Sequence, residues 1–580
     1  MLRGPDARLR LISALLIATL LPIFGQLVRL QILEHSHYQS EVEALVRRQF
    51  GLPEPAWGVI TDRNGDLLVG NVPVFDIGAE VNLIAEKDRE MAAAALAPLL
   101  NRPKEELVED LTCPPDTDTV VWRLLAKQIP AEQAAKVSQL DWFWITMTPT
   151  WNRYYAEGAL ASHTLGFVNE QGMGYGVQAF QLRFLQGERV TRVGFVSGDT
   201  SPMPDELMEG AMIPYPGTDL RLTIDRTIQA FVEGELDKAI QEYKAVGGTI
   251  LVMNPRTGEI LALASRPNYE PYRYPDYAEA GQEALFRDPA VSVPYEPGSV
   301  FKVVTAAAAL DSGRVDQNWS YVDQGGLEYG GVVVRNWDSG SYGQQSLQGI
   351  LDYSLNVGAA TLSTRVIGPE LFYQYVRAFG FGQATGIEVT GEAAGLVHMP
   401  TDWDWSDSYL ATNAFGQGIA VTPLQMAAAV AAIANDGVMM QPHVVAERSY
   451  SDGRSVAIPP RSLGQPISAE TAHLLSEMMA QIVDRRLKLA QVPGYRVAGK
   501  TSTAQIPTTG GYEPEAVITS FVGFGPLPDP QVLILVKLDR PDVPWAVRWG
   551  TQTAAPVFQR VASRLFTLLG LPPAELRAGP

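Results

Sequence analysis

The sequence predicts an α+β protein built on a five-stranded antiparallel sheet that is covered by helices. Two strand patterns lie close together at 247–255 and 259–265, and the Pro-Arg-Thr-Gly turn between them predicts a hairpin. Three more strand patterns follow one another at 495–506, 518–526 and 532–539. Because the chain between these groups has mostly helical spacing, we expect the early and late strands to meet in one sheet.

The first element along the chain is a candidate transmembrane helix at 11–32, preceded by a short tail at 1–10. Residues 11–28 form an uncharged apolar run, just long enough to cross a hydrocarbon core of about 30 Å. Arginines dominate the tail and glutamates follow the run, so the positive-inside rule places the N-terminus in the cytoplasm. The alternatives are a cleaved signal peptide, whose apolar core is usually shorter, and a buried helix. The sequence therefore predicts a single-pass protein of the cell membrane, with the rest of the chain extracytoplasmic.

Residues 33–215, called the pedestal here, form an elongated module of mixed character. A strand pattern at 65–81 is followed by three stretches with helical spacing, and a turn-rich stretch at 197–219 marks a boundary. The three helical stretches of the pedestal are 84–100, 103–112 and 131–140. After the pedestal, the sheet-containing domain is expected over 216–572, with a C-terminal tail at 573–580.

One helix has unusually complete end signals. Thr422 and Gln425 have the spacing of a capping box, Pro423 stands at the first helical position, and Gly437 is a stop signal. We therefore predict a helix within 422–437.

Composition excludes several classes of function. The chain has 580 residues, and 64 acidic against 45 basic side chains give a net charge of −19, which disfavours nucleic-acid binding. Cys113 is the single cysteine, so neither an internal disulfide nor a cysteine-based zinc site can form. The six histidines lack ligand spacing, so no metal site is expected.

The candidate nucleophile is Ser299, followed one helical turn later by Lys302. Pro297 and Gly298 precede an apolar helical pattern, which places the serine near a helix start and both side chains on one face. A serine in this position faces free N–H groups, and a lysine whose charge is disfavoured can accept its proton. Alone, the pair favours the ordinary interpretation of a capping serine and a solvated lysine, because this spacing occurs by chance several times in a chain of this length.

Two further motifs make the pair specific. Ser354-Leu355-Asn356 follows between helical segments, and Lys500-Thr501-Ser502-Thr503 lies on a predicted strand. With Ser299-x-x-Lys302, their order and spacing resemble the penicillin-binding protein and serine β-lactamase superfamily. Stretches at 58–68, 154–168, 222–229, 253–271 and 415–426 extend the resemblance to class B penicillin-binding proteins, which are monofunctional peptidoglycan transpeptidases.

The resemblance implies roles for these residues in cross-linking peptidoglycan stem peptides. It makes Ser299 the nucleophile, Lys302 its base and Ser354 a proton relay, with Lys500 supplying positive potential beside Lys302. Asn356 would bind the peptide amide, whereas Thr501 and Thr503 would hold the substrate carboxylate. No cofactor, metal or ATP is implied, and β-lactams are the expected inhibitors.

Three positions depart from the family pattern. Ser502 stands where glycine is usual, so its side chain is expected to crowd either the substrate backbone or the neighbouring helix. In the pedestal, Trp57 replaces an arginine and Gln178 replaces a glutamate, so the ion-pair roles of those positions cannot be carried over.

The resemblance also implies partners and leaves alternatives. The pedestal carries no glycosyltransferase pattern, so we expect a separate polytopic membrane polymerase to make the glycan. A β-lactam sensor or a catalytically weak scaffold on the same fold remain the alternatives. The sensor would need more than about ten cytoplasmic residues, and the scaffold would require that Ser502 blocks the groove.

Overall fold

The computed structural model describes residues 55–114, 121–187 and 215–573, together with five isolated positions between 22 and 34. Most of the candidate anchor and most of the C-terminal tail lie outside the described residues. Within the part that is described, no helix is both long enough and apolar enough to cross a membrane.

Two compact units account for the described chain. Asn71–Asn152 belongs to the first, whereas Trp57–Gly70, Arg153–Gly187 and the chain from Pro216 onward belong to the second. The division therefore differs from a single cut at residue 215. The reason is burial, because apolar side chains from the two earlier segments lie in the hydrophobic core of the second unit: Ile60, Leu68, Val69, Ala161, Leu165, Val177 and Leu185.

The first unit packs three helices against paired strands. Val74–Glu80 of the strand Leu67–Glu80 pairs antiparallel with Trp122–Pro130. The helices are Arg89–Leu100, Lys104–Asp110 and Ala131–Ser138, as the helical spacing of the pedestal predicts. Their apolar faces form one core, to which Leu96, Leu107 and Val137 contribute.

The second unit contains the predicted five-stranded sheet, and every pairing in it is antiparallel. Its strand order is Ala498–Thr508, Gly511–Gly525, Val532–Asp539, Gly247–Met253 and Ile260–Arg266. The first of these, called the edge strand here, carries the third motif. The early and late strands therefore meet in one sheet, as expected from the sequence.

Helices cover both faces of this sheet. Phe521 meets Phe558 of the helix Ala554–Leu568 on one face, whereas the side chain of Ser502 points at Gly298 on the other. The helix Pro423–Ala434 is buried along its whole length and has the predicted capping box, with both reciprocal hydrogen bonds present. Other helices of the unit are Arg226–Tyr243, Pro289–Ser292, Lys302–Asp311, Leu347–Asp352, Asn356–Thr361, Pro369–Ala378, Asp407–Asn413 and Ala469–Arg485.

Short strands complete the unit. Ile60–Thr61 and Asp219–Leu222 lie side by side in parallel, and Val445–Ser449 pairs with the second of them. Two small antiparallel strand pairs lie next to the second motif. These are Ser320–Asp323 with Gly343–Ser346, and Gly326–Tyr329 with Val332–Arg335.

Candidate active site

Ser299 lies in a single 3-10 turn, Gly298–Phe301, which leads directly into the helix Lys302–Asp311. The preceding Gly298 has φ of +57°, a conformation that favours glycine. This geometry brings Lys302 Nζ to 2.9 Å from Ser299 Oγ. The predicted pairing of nucleophile and base on one face is therefore present.

The second motif closes on the same lysine. Ser354 lies between two short helices with φ of +57°, a strained conformation for a serine that directs its side chain into the site. Lys302 Nζ lies 3.2 Å from Ser354 Oγ and 2.7 Å from Asn356 Oδ1. The Asn356 amide nitrogen donates to Arg335 O, which orients its oxygen toward the lysine.

Lys500 of the edge strand completes the chain of polar atoms. Its Nζ lies 3.0 Å from Ser354 Oγ, so this hydroxyl lies between two lysine nitrogens. The four side chains form one continuous path from Ser299 through Lys302 and Ser354 to Lys500. Such a path can carry a proton between a nucleophile and a leaving group.

Burial controls the charge of the two lysines. Lys302 and Lys500 are 1% and 2% exposed. Burial, and then the positive charge of Lys500, holds the pKa of Lys302 well below its ordinary value. Burial lowers the pKa of Lys500 to about 8, and Asp352 opposes this shift. Lys302 is thereby suited to act as a neutral base beside a second lysine that is still protonated at neutral pH.

Two of the three remaining predicted residues, Thr501 and Thr503, border one cavity with the catalytic group. Ser299, Ser354, Lys500, Thr501 and Thr503 all line it. The Thr503 hydroxyl also accepts a hydrogen bond from Gly550 N–H at 3.0 Å. Asn356 is not among the lining residues and is instead engaged with Lys302 and Arg335.

The side chain of Ser502 faces the 3-10 turn Gly298–Phe301, called the nucleophile turn here. It is 2% exposed, and a Cβ atom placed on Gly298 would lie only 2.5 Å from its Oγ. Of the two expected sites of crowding, the structure places this hydroxymethyl group on the side of the neighbouring helix. Its Oγ has no hydrogen-bond partner among the described residues.

Aromatic side chains that the sequence analysis did not single out frame the cavity. Trp337 and Trp549 meet edge to face with ring centroids 5.4 Å apart, and both line the cavity. Their separation of more than 200 residues explains why no local pattern links them. Of the Trp-rich stretch at 402–405, Trp403 is almost fully exposed and Trp405 packs on Tyr373, and neither lines the cavity.

The two unusual pedestal residues contact the same arginine. Gln178 Oε1 accepts a hydrogen bond from Arg153 Nε at 2.9 Å, and the Arg153 guanidinium lies 5.5 Å from the centre of the Trp57 ring. Burial lowers the pKa of Arg153 to about 10. A neutral amide and an aromatic ring therefore take the positions where the family pattern has charged groups.

A histidine that looks isolated in the sequence lies beside two carboxylates. The Nδ1 atom of His398 is 3.1 Å from Asp404 Oδ2, its ring stacks on Tyr409, and Asp402 is nearby. Asp402 accepts the backbone N–H of Met399. We interpret this group as a set of polar surface contacts within the loop.

Comparison with known proteins agrees with this architecture. Residues 248–563 match the penicillin-binding protein transpeptidase domain, and residues 53–189 match the penicillin-binding protein dimerisation domain. Stage V sporulation protein D of Bacillus subtilis is 32% identical over 534 residues, which cover 90% of this chain and 80% of that protein.

Two further relatives support the same assignment. The peptidoglycan D,D-transpeptidase FtsI of Escherichia coli is 29% identical, over 90% of this chain and 85% of that protein. A crystal structure of penicillin-binding protein 3 from Mycobacterium tuberculosis, complexed with aztreonam, superposes with a TM-score of 0.66 at 27% identity. It covers 91% of this chain and 98% of that chain. The chain therefore belongs to the class B penicillin-binding proteins, which combine a dimerisation domain with a transpeptidase domain.

Proposed function

We propose that Ser299 carries the D,D-transpeptidase reaction of this family on peptidoglycan stem peptides. Its Oγ attacks the carbonyl of the penultimate D-Ala, and Lys302 takes the hydroxyl proton. The peptide bond to the terminal D-Ala breaks, and Ser354 relays a proton to the departing amine. An amine from a neighbouring stem peptide then attacks the acyl-enzyme, restores the Ser299 hydroxyl and forms the cross-link.

The observation that carries this proposal is the continuous path from Ser299 through Lys302 and Ser354 to Lys500. Burial and the nearby charge of Lys500 favour the neutral form of Lys302, which a base requires. Lys500 itself remains a source of positive potential at neutral pH. The path joins a helix start, an interhelical loop and the edge strand. Three elements far apart in sequence therefore meet in an arrangement that suits acyl transfer.

The substrate-binding roles follow from the residues around this path. Thr501 and Thr503 would hold the substrate carboxylate beside Lys500, and Asn356 would turn from Lys302 to the peptide amide. The backbone N–H groups of Ser299 and Thr503 would form the oxyanion hole. In other enzymes, loss of one such donor costs about 3 to 4 kcal/mol of transition-state stabilisation.

Covalent labelling tests the nucleophile directly. We expect a fluorescent penicillin to label the wild-type protein and not Ser299→Ala, and intact-mass spectrometry to place the adduct on the peptide that contains Ser299. A β-lactam bound to the related M. tuberculosis protein supports this choice of probe. An adduct on another peptide, or one that persists in Ser299→Ala, would reject the assignment.

The same proposal assigns cross-linking to this chain and glycan polymerisation to a separate membrane protein. The pedestal match to a dimerisation domain supports a partner-facing role without glycosyltransferase activity. The apolar run at 11–28 would anchor the chain in the cell membrane with its N-terminus in the cytoplasm and its catalytic domain outside. A polytopic polymerase should then co-purify from native membranes with the full chain. Loss of that polymerase from the eluate when residues 71–152 are replaced by a short flexible linker would locate the contact in the first unit.

A further inference from the structure

Glu296 is a polar residue near the site with no role in the proposed reaction. It lies three residues before Ser299 and is 8% exposed. Its carboxylate accepts a hydrogen bond from Gly418 N–H at 2.9 Å and another from the Tyr512 hydroxyl at 3.1 Å. One buried carboxylate thus joins the chain that enters the nucleophile turn, the loop around Gly418, and the hairpin formed by Ala498–Gly525.

The loop on one side of this carboxylate packs directly on the residue before the nucleophile. Gly298 N–H donates to Gly416 O at 3.0 Å, and Tyr295 and Val421 exchange two backbone hydrogen bonds of 2.9 Å. A Cβ atom on Gly416, whose φ is +79°, would lie within 3 Å of the Gly298 backbone. The position of the nucleophile turn is therefore coupled to that of this loop.

The hairpin on the other side has an interrupted ladder just beyond the catalytic residues. The register shifts between Gln505 and Pro507, and residues 507–512 are exposed. An irregularity of this kind weakens the link between the inner and outer parts of a strand pair. Tyr512 pairs with Pro507 in the outer part, so its bond to Glu296 ties the outer hairpin back to the nucleophile segment.

We propose that Glu296 is a positioning residue that, through Tyr512, sets the separation between the nucleophile turn and the edge strand. The two proposed oxyanion donors, the N–H groups of Ser299 and Thr503, lie on these separate elements. Catalysis requires such groups to be held within about 0.5 Å of their productive geometry. This inference rests on the proposed nucleophile and adds a residue that contacts neither substrate nor base.

Removal of a single hydroxyl tests the inference. Tyr512→Phe keeps the ring and the Gly418 bond but deletes the contact with Glu296. Loss of one hydrogen bond to a charged group should slow β-lactam acylation about tenfold. The loss should fall on the acylation rate constant rather than on initial binding, with the melting temperature nearly unchanged. Glu296→Gln, whose amide oxygen can still accept the Gly418 N–H, should be less impaired than Glu296→Ala.

The matched control breaks a different contact of the same hairpin, the one between Glu513 and Arg540, which follows the strand Val532–Asp539. Arg540→Gln breaks the ion pair between Arg540 and Glu513 without touching Glu296, and it should acylate at the wild-type rate. Adding Tyr512→Phe to Glu296→Ala should cause little further loss, because the two residues act through one contact.

Either of two results would overturn the inference: wild-type acylation by Tyr512→Phe, or an equal loss in Arg540→Gln. Failure of the proposed nucleophile would be recognised separately, because Ser299→Ala would then still be labelled.

Discussion

Replacement of Lys500 by arginine should abolish the alkaline limb of the pH profile of acylation. Burial lowers the pKa of Lys500 to about 8, so this residue loses its charge just above neutral pH. Burial, and then the charge of Lys500, holds the pKa of Lys302 well below its ordinary value, which favours the neutral form that a base requires. The acylation rate of the wild-type protein should therefore fall as the pH rises through about 8. Loss of the Lys500 charge also removes the smaller of the two causes that lower the pKa of Lys302, the larger being burial.

The size of the effect follows from the titration. At about pH 10, two units above its pKa, roughly 1% of Lys500 would keep its proton, so acylation should be about 100-fold below its plateau. A guanidinium group stays charged at that pH. Lys500→Arg should have a lower plateau, because its planar fork cannot reproduce the single 3.0 Å contact with Ser354 Oγ, but its profile should stay flat.

The assay is the second-order rate constant for a fluorescent penicillin, measured by stopped flow from about pH 6 to pH 10. Unfolding should not account for the decline. Because the folded pKa of Lys500 lies below its unfolded value of about 10.4, this group makes the free energy of unfolding rise, not fall, between about pH 8 and that value. A flat wild-type profile above pH 8, or an equal decline in Lys500→Arg, would refute the reasoning.

Three further predictions concern packing. Gln178→Met removes the hydrogen bond that Gln178 accepts from the buried Arg153 and the two that it donates to the Tyr155 hydroxyl and Gly166 O, and it should lower the free energy of unfolding by about 2 to 3 kcal/mol in urea titrations; an unchanged midpoint would contradict this. Ser502→Gly should speed acylation with a melting temperature within a few degrees of wild type. Ser502→Ala separates the effect of side-chain volume from that of the hydroxyl, and equal rates in all three proteins would show that the site already accommodates the side chain. Replacing residues 71–152 by a short flexible linker should preserve penicillin labelling. The fragment 216–580 should instead fold poorly, because it lacks core segments of its own unit. Efficient labelling of that fragment would show that those segments are dispensable.

Local sequence patterns determined the elements of this protein. Short apolar runs, two of them joined by the turn Pro-Arg-Thr-Gly, predicted all five strands of the sheet. Adjacent signals also predicted the helix Pro423–Ala434 with its cap, since capping involves residues only three apart. The three motifs identified the candidate catalytic residues, and the structure brings Ser299, Lys302, Ser354 and Lys500 into one path.

Only the tertiary structure decided how these elements act on one another. The low pKa of Lys302 depends on burial and on a lysine nearly 200 residues away, and neither is visible in a local pattern. The direction of the Ser502 side chain depends on which face of the edge strand meets Gly298. The boundary between units, the Trp337–Trp549 contact and the role proposed for Glu296 likewise depend on packing between distant segments. Periodicity records which side of an element is buried, but not which distant residue buries it.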